Sequence, residues 1–261
     1  MVPMAIICLL MVLFVGSKAS GTIFFQDDFT TGVNPAWVTD RAEPAGFTNN
    51  GAGNLEISIS NNEHNTSEFH NTQGRKANVS SSGQSWTLTA QVNITQNMLT
   101  DDGLPNQPSY RSDIWARTNL GGDLGSEMTS EYHILGFQRY DSGNPGDSSA
   151  ATFGWRWWSN TGWNAIASSA GVTDLLGWND LEISSTLAGV EFKLNGTVVG
   201  FDGVVSNPND LTTIYLQAKN FGALEPGDTT EYLYDNVQVI PEPNTVFLGV
   251  LGALALLRRK R

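Results

Sequence analysis

Apolar and polar residues alternate along much of this chain. In Leu55-Glu56-Ile57-Ser58-Ile59-Ser60 the alternation is complete, and it continues through Trp86-Thr87-Leu88-Thr89-Ala90-Gln91-Val92-Asn93-Ile94. A period of two puts successive side chains on opposite faces, so such runs predict strands with one face on a core. Similar runs predict strands at 22–26, 132–140, 152–159, 180–186, 190–199, 213–219 and 232–240. Within 190–199, Asn195-Gly196 marks a hairpin, because this pair suits the positive φ angles of a type I′ turn. No body segment shows the 3.6-residue period of an amphipathic helix. The stretches 101–109 and 141–149, rich in Gly, Asn, Pro and Asp, read as long loops. No internal repeat and no interdomain linker interrupts the pattern, so the body predicts one all-β domain built as a two-sheet jelly-roll sandwich.

The two ends depart from this pattern. Residues Ala5 to Val15 form an apolar run, followed by the small residues Ser17 and Ala19. That combination predicts a secretory signal peptide over 1–19, although its start carries no Lys or Arg. The domain then occupies 20–240, about 220 residues, a normal size for one sandwich. The C-terminus, 241–261, reads Pro241-Glu242-Pro243, an apolar helix over 246–257, then Arg258, Arg259, Lys260 and Arg261. Twelve helical residues reach about 18 Å, short of the roughly 30 Å hydrocarbon core. The tail therefore predicts transient membrane insertion with its cations held on the cytoplasmic side.

These three parts in this order resemble the PEP-CTERM sorting signal of exopolysaccharide-producing bacteria. The resemblance implies processing by an exosortase-type enzyme near Pro241, Glu242 and Pro243. It also implies an inner-membrane precursor and a mature protein on the cell surface or in the extracellular matrix.

Composition narrows the chemistry. The net charge is −12, and Lys18 and the four terminal cations lie outside the body, which is thus more acidic still. Such a body repels phosphate backbones and excludes nucleic acid as a partner. The one cysteine, Cys8, lies in the leader, which excludes a thiol nucleophile or thiolate metal site from the body. No Gly-x-Ser-x-Gly elbow and no phosphate loop is present. His64, His70 and His133 form no ligand motif, and Asp101-Asp102-Gly103 lacks the remaining ligands of an EF-hand.

Within the body, Phe24-Phe25-Gln26-Asp27-Asp28-Phe29 opens the domain and Tyr232-Leu233-Tyr234-Asp235-Asn236-Val237-Gln238-Val239 closes it. Asn179-Asp180-Leu181-Glu182-Ile183 precedes the Asn195-Gly196 hairpin. This order resembles the concanavalin A-like jelly roll, laminin-G-like modules included. The resemblance implies pairing of the first and last strands, and a structural calcium ion where the ends meet. Asp27, Asp28 and Asp235 are its candidate ligands.

Trp155, Trp157, Trp158 and Trp163 crowd together. On a strand, Trp155 and Trp157 share one face while Arg156 and Trp158 point to the other. Exposed indoles stack on sugar rings, so these five residues are the glycan-binding candidates. Glycosidic hydrolysis needs a pair of carboxylates at fixed separation, and the body contains no Glu-x-Asp or Glu-x-Glu. Asp180-Leu181-Glu182 has the spacing but lacks a familiar context. The sequence thus predicts a non-catalytic module that binds polysaccharide or associates with the matrix. The alternatives are a glycoside hydrolase or lyase of the concanavalin-like fold, and a purely structural adhesin.

Overall fold

The structure, a computed structural model, describes residues 22–40, 42–60, 73–99, 110–119, 130–139, 153–159, 162–167, 176–220 and 229–242. The leader, Pro243 with the apolar tail, the terminal cations and the two predicted long loops lie outside these residues. No helix of the described residues is long and apolar enough to cross a membrane.

Two antiparallel sheets pack face to face. The eight-stranded sheet runs β13 (Thr197–Asp202), β12 (Gly189–Leu194), β11 (Gly177–Thr186), β6 (Trp86–Ile94), β15 (Thr229–Pro241), β4 (Leu55–Ser60) and β3 (Gly46–Asn49), and β1 (Phe25–Asp27) also pairs with β15. The seven-stranded sheet runs β10 (Gly162–Ala165), β9 (Phe153–Ser159), β8 (Ser130–Arg139), β7 (Tyr110–Asn119), β14 (Leu211–Asn220), β5 (Gln73–Asn78) and β2 (Val38–Thr39). The described residues contain one short helix, α1 (Gln96–Leu99). This is the two-sheet jelly-roll sandwich expected from the alternation, in the concanavalin A-like form that the resemblance implies. The first and last strands pair as expected, with Phe25 opposite Val239. Asn195 and Gly196 take φ of 49° and 76°, the positive values that a type I′ hairpin turn demands.

Strands β2, β3, β5, β7 and β10 were not foreseen. β7 reads Tyr110-Arg111-Ser112-Asp113-Ile114-Trp115-Ala116-Arg117, so charged residues alternate with small or apolar ones. The register explains it. Ser112, Ile114 and Ala116 face the core, and Arg111, Asp113, Trp115 and Arg117 face the other way. Most of this outer set is nonetheless buried.

The main core lies between the sheets. Ile57 stands opposite Tyr232, Leu88 is flanked by Ile183 and Val239, and Ile114 and Leu216 face them from the seven-stranded sheet. Burying side chains of this size contributes about 1.5–3 kcal/mol each. Tyr234 ties the two sheets together. It projects from β15, donates its hydroxyl to the Gln217 carbonyl at 2.8 Å, and accepts from Ser112 Oγ at 2.7 Å. Its phenol is fully buried, which raises its pKa far above the ordinary value and keeps it a donor.

His133 is a buried group with a pH consequence. It faces inward from β8, with Nε2 3.0 Å from Thr118 Oγ1. Burial lowers its pKa from 6.5 to about 4, partly offset by the Asp202 carboxylate. Below the ordinary value the unfolded chain takes up a proton that the folded chain refuses until about pH 4. Stability therefore falls as pH drops through this window, by up to about 1.4 kcal/mol per pH unit. Urea unfolding of the wild type and of His133→Gln at pH 7 and pH 5 checks this. The wild type loses the larger share of stability on acidification, and equal losses would refute the assignment.

Candidate functional site

The outer face of the seven-stranded sheet, the side away from the core, carries two adjacent rows of side chains. Cross-strand register builds the first. Gly74 on β5 pairs with Gln217 on β14, Gln217 with Asp113 on β7, Asp113 with Gly136 on β8, and Gly136 with Arg156 on β9. Asp40 joins at the β5 end, where its N–H donates to the Gly74 carbonyl. The next row, two residues along each strand, reads Lys76, Tyr215, Trp115, Ile134, Trp158 and Trp163. A polar row thus lies beside an aromatic one.

Two glycines in the polar row have side chains lying across them. A Cβ on Gly136 would stand 2.1 Å from Asp113 Oδ1, and one on Gly74 would stand 2.7 Å from Gln217 Oε1. The missing side chains let Asp113 and Gln217 lie flat across the sheet.

Asp113 is 1% exposed. Its Oδ2 accepts from Arg111 Nε in a short contact, and from Trp115 Nε1 at 3.4 Å. Its Oδ1 has no hydrogen-bond partner. Gln217 Nε2 donates to Asp40 Oδ2 at 2.9 Å, and Lys76 Nζ lies 3.2 Å from Asp40 Oδ1. The Oε1 atoms of Gln217 and of Gln138, which pairs with Arg111 across β7 and β8, are likewise buried without a partner. Buried polar atoms in native proteins are nearly always paired. Three such acceptors gather on this one face.

The aromatic row forms a second, smaller cluster. Trp115 lies 5.9 Å from Tyr132 and 5.7 Å from Tyr215, and Trp158 meets Trp163 edge to face at 5.2 Å. The Arg156 guanidinium sits 3.6 Å from the centre of the Trp163 ring, and that of Arg111 sits 4.7 Å from it. Trp158 and Trp163 keep partial exposure, whereas Arg156 is fully buried.

The candidates from sequence fall into separate places. Arg156, Trp158 and Trp163 belong to this outer face. Trp155 points inward and packs edge to face on Phe137. Trp157 also points inward, stacks on Phe192 at 4.9 Å and lies over Gly200, where a Cβ would stand 2.4 Å from its ring. Asp180 and Glu182 lie on the outer face of the other sheet. Asp180 accepts from Gln91, and Glu182 pairs with Lys193 at 2.7 Å.

The carboxylates expected to hold calcium do not converge. Asp27 is buried and turned inward, and it accepts from Phe29 N, Asn34 N and Trp37 Nε1. Asp28 caps Thr30. Asp235 points to the outer face of its sheet, where it accepts from Asn54 and Asn236. These donor sets staple loops, and among the described residues no group of three or more His, Cys, Asp or Glu gathers as a metal site. Asp27 and Asp235 thus turn to opposite faces of their sheet.

Of the sorting motif, Pro241 and Glu242 are described. Pro241 ends β15 opposite Trp86, and Glu242 N–H donates to the Ser85 carbonyl at 2.8 Å. Glu242 Oε1 accepts from Thr87 in a short contact. Burial, with Glu182 nearby, raises its carboxyl pKa.

Asp113, Gln138, Gln217 and Asp40 were not among the residues singled out from sequence. The available signal was β7 itself, where charged residues recur at every second position and flank a tryptophan.

No protein-family model matches the chain, and no curated protein matches it. Solved structures do. The chain is similar to a Bacillus licheniformis β-glucanase at 11% identity and a TM-score of 0.50, covering 85% of this chain and 100% of that one. A Thermotoga petrophila endo-1,3-β-glucanase (laminarinase) catalytic domain matches at 11% identity and a TM-score of 0.49, over 86% and 99% of the two chains. A Clostridium perfringens endo-β-galactosidase matches at 10% identity and a TM-score of 0.47, over 85% and 63%. The β-glucanase match establishes the shared fold over the whole of that chain. The expectation of a non-catalytic module and of no enzyme is corrected by it, because the solved structure that shares this fold is a glucanase rather than a binding module.

Proposed function

We propose that this chain is a carbohydrate-active enzyme that cleaves glycosidic bonds of a polysaccharide laid across the outer face of the seven-stranded sheet. The observation that carries this reading is the buried polar row beside an aromatic one, with Asp113 Oδ1 left free of any hydrogen bond. Trp158 and Trp163 are the partly exposed aromatic surfaces for sugar rings. Gln138 and Gln217 offer acceptors for sugar hydroxyls. Asp113 serves as the proton-transfer group at the scissile bond, with Arg111 and Trp115 fixing its other oxygen. Asp40, held by Gln217 and Lys76, is the second carboxylate of the row. Paired glycosidase carboxylates stand about 5–9.5 Å apart, and Asp40 lies three strand spacings of ~4.8 Å each from Asp113, so Asp40 positions Gln217 and the proton transfer is assigned to Asp113 alone. The opposite outer face also carries carboxylates and the exposed Trp178, but there Glu182 and Glu191 pair with Lys193, Asp180 accepts from Gln91, and Asp235 accepts from Asn54 and Asn236. The β-glucanase whose fold this chain shares adds support from outside the chain.

A panel of neutral and acidic polysaccharides tests the proposal. New reducing ends signify hydrolysis, and new reducing ends with ultraviolet absorbance of an unsaturated sugar signify elimination. Neither product on any member of the panel would overturn it.

For delivery, the reading is export through the leader over 1–19 and sorting by the tail, with an exosortase-type partner acting near Pro241-Glu242-Pro243. The mature protein then resides on the surface or in the matrix. What supports it is the order of motif, apolar run and terminal cations. The intact mass of protein recovered from the cell surface checks it. The expected C-terminus lies near Pro243, and a surface protein still ending in Arg261 would contradict tail removal.

A further inference from the structure

The last described residues of the chain are built into the eight-stranded sheet. Pro241 closes β15 as the partner of Trp86. Past it, the Glu242 N–H donates to the Ser85 carbonyl at 2.8 Å, which carries the pairing with β6 one residue beyond the strand. The Glu242 carboxylate accepts from Thr87 Oγ1 in a short contact. Thr87 and Trp86 are both buried. From the N-terminal end of the domain, the Phe24 N–H donates to the Val239 carbonyl at 2.9 Å and holds β15 just upstream. Pro241 and Glu242 are therefore half-buried, not a free lead into the tail.

Pro241 and Glu242 are also the first two residues of the sorting motif. An enzyme that takes its substrate in extended form recognises it through main-chain hydrogen bonds as well as side chains. Here the N–H and the carboxylate of Glu242 already serve the fold. The same groups cannot be held by β6 and by an enzyme at once. Cleavage of the folded chain then waits for the end of β15 to leave β6. When such an opening recloses quickly, its population sets the rate of cleavage.

We propose that the docking of Pro241-Glu242 on β6 is a brake on removal of the tail, with Thr87 setting its strength. This proposal rests on the reading of the C-terminus as a sorting signal cut near that motif. A hydrogen bond to a carboxylate is worth more than one between neutral groups, so the Thr87 hydroxyl holds Glu242 more firmly than the backbone contact alone. The carboxylates of Glu182 and Glu191 lie near enough to repel Glu242, with Lys193 as the offsetting cation. Without the Thr87 donor, that repulsion and the partial burial favour release.

Two measurements on the full chain test this. Amide hydrogen exchange reads the docking itself. In the wild type the Glu242 amide is protected. In Thr87→Val, which keeps the side chain's shape and removes its donor, Glu242 exchanges at least about fivefold faster while the Tyr234 and Val237 amides keep their rates. Thr87→Ser, which keeps the hydroxyl, retains the protection. Pulse-chase labelling in cells that export the chain, read by intact mass, gives the rate of tail loss. The expected result is loss at least about fivefold faster in Thr87→Val than in the wild type, and at the wild-type rate in Thr87→Ser. A Glu242 amide unprotected in the wild type, or equal rates of tail loss in the wild type and Thr87→Val, would overturn the brake and leave the sorting reading standing. A protected Glu242 amide with no tail loss in any of the three chains would overturn the sorting reading, and the brake with it.

Discussion

Asp113→Asn is expected to lower polysaccharide cleavage by about 10²–10⁴-fold, the range a positioned acid–base group contributes. Asparagine keeps the shape of the side chain and an acceptor for Arg111, so the sheet register is unchanged. What it removes is the ability to take and give a proton at Oδ1, the atom without a partner. The substitution also takes the negative charge from beside the buried Arg111. Breaking such a pair costs up to about 3–5 kcal/mol, so the assay belongs well below the variant's own melting temperature. Read that way, the rate per folded molecule drops while binding of the polysaccharide persists. Wild-type rates in Asp113→Asn would remove this residue from the chemistry. Arg111→Gln separates the two effects. It disturbs the same ion pair but leaves the carboxylate, and so lowers stability with a smaller loss of rate than Asp113→Asn.

Trp86→Ala carries the largest expected effect on stability. Trp86 opens β6 at the centre of the eight-stranded sheet and is fully buried. Its indole N–H donates to the Pro208 carbonyl at 2.7 Å, and its backbone N–H donates to Ser185 Oγ at 2.9 Å. Truncation leaves a cavity and an unpaired carbonyl, and tryptophan or phenylalanine truncations of this kind cost about 3–5 kcal/mol. In a domain of this size each kcal/mol moves the melting temperature by about 2–4 °C. Calorimetry should therefore show a fall of roughly 6–20 °C. Because Pro241 pairs with Trp86 and Glu242 with Ser85, the same variant loosens the last residues of β15. A melting temperature within a degree or two of the wild type would place Trp86 outside the core.

Alternation made the eight-stranded sheet legible, because its outer face is wet. Leu55–Ser60 and Trp86–Ile94 have the bounds of the alternating runs. The Asn195-Gly196 turn was readable from two residues, since few other pairs tolerate positive φ at both positions. The seven-stranded sheet was harder, because both of its faces are largely buried. In β7 the outer positions hold Arg111, Asp113 and Arg117, which a pattern search counts as solvent-facing. In β5, Gln73-Gly74-Arg75-Lys76 contains almost no apolar residue. Here polar side chains are buried, so local pattern and global burial disagree, the kind of conflict that marks candidate functional faces.

The site was half legible for the same reason. The tryptophan cluster falls on a strand of the proposed site, and the alternation divided Trp155 and Trp157 from Arg156 and Trp158 as the structure does. The carboxylates could not be found by looking for two acids on one strand. Asp113 and Asp40 belong to different strands at opposite sides of Gln217, and only the cross-strand register brings them into one row. The pair that the spacing did offer, Asp180 and Glu182, lies on the other sheet's outer face, where hydrogen bonds with Gln91 and Lys193 occupy it.

A crystal structure of Asp113→Asn with an oligosaccharide of a polysaccharide that the wild type cleaves tests the central claim most directly. The account predicts a sugar ring against Trp158 or Trp163, its hydroxyls on Gln138 and Gln217, and a glycosidic oxygen within hydrogen-bond reach of residue 113, about 2.6–3.2 Å. An oligosaccharide bound instead on the outer face of the eight-stranded sheet, beside Asp180 and Glu182, would contradict it.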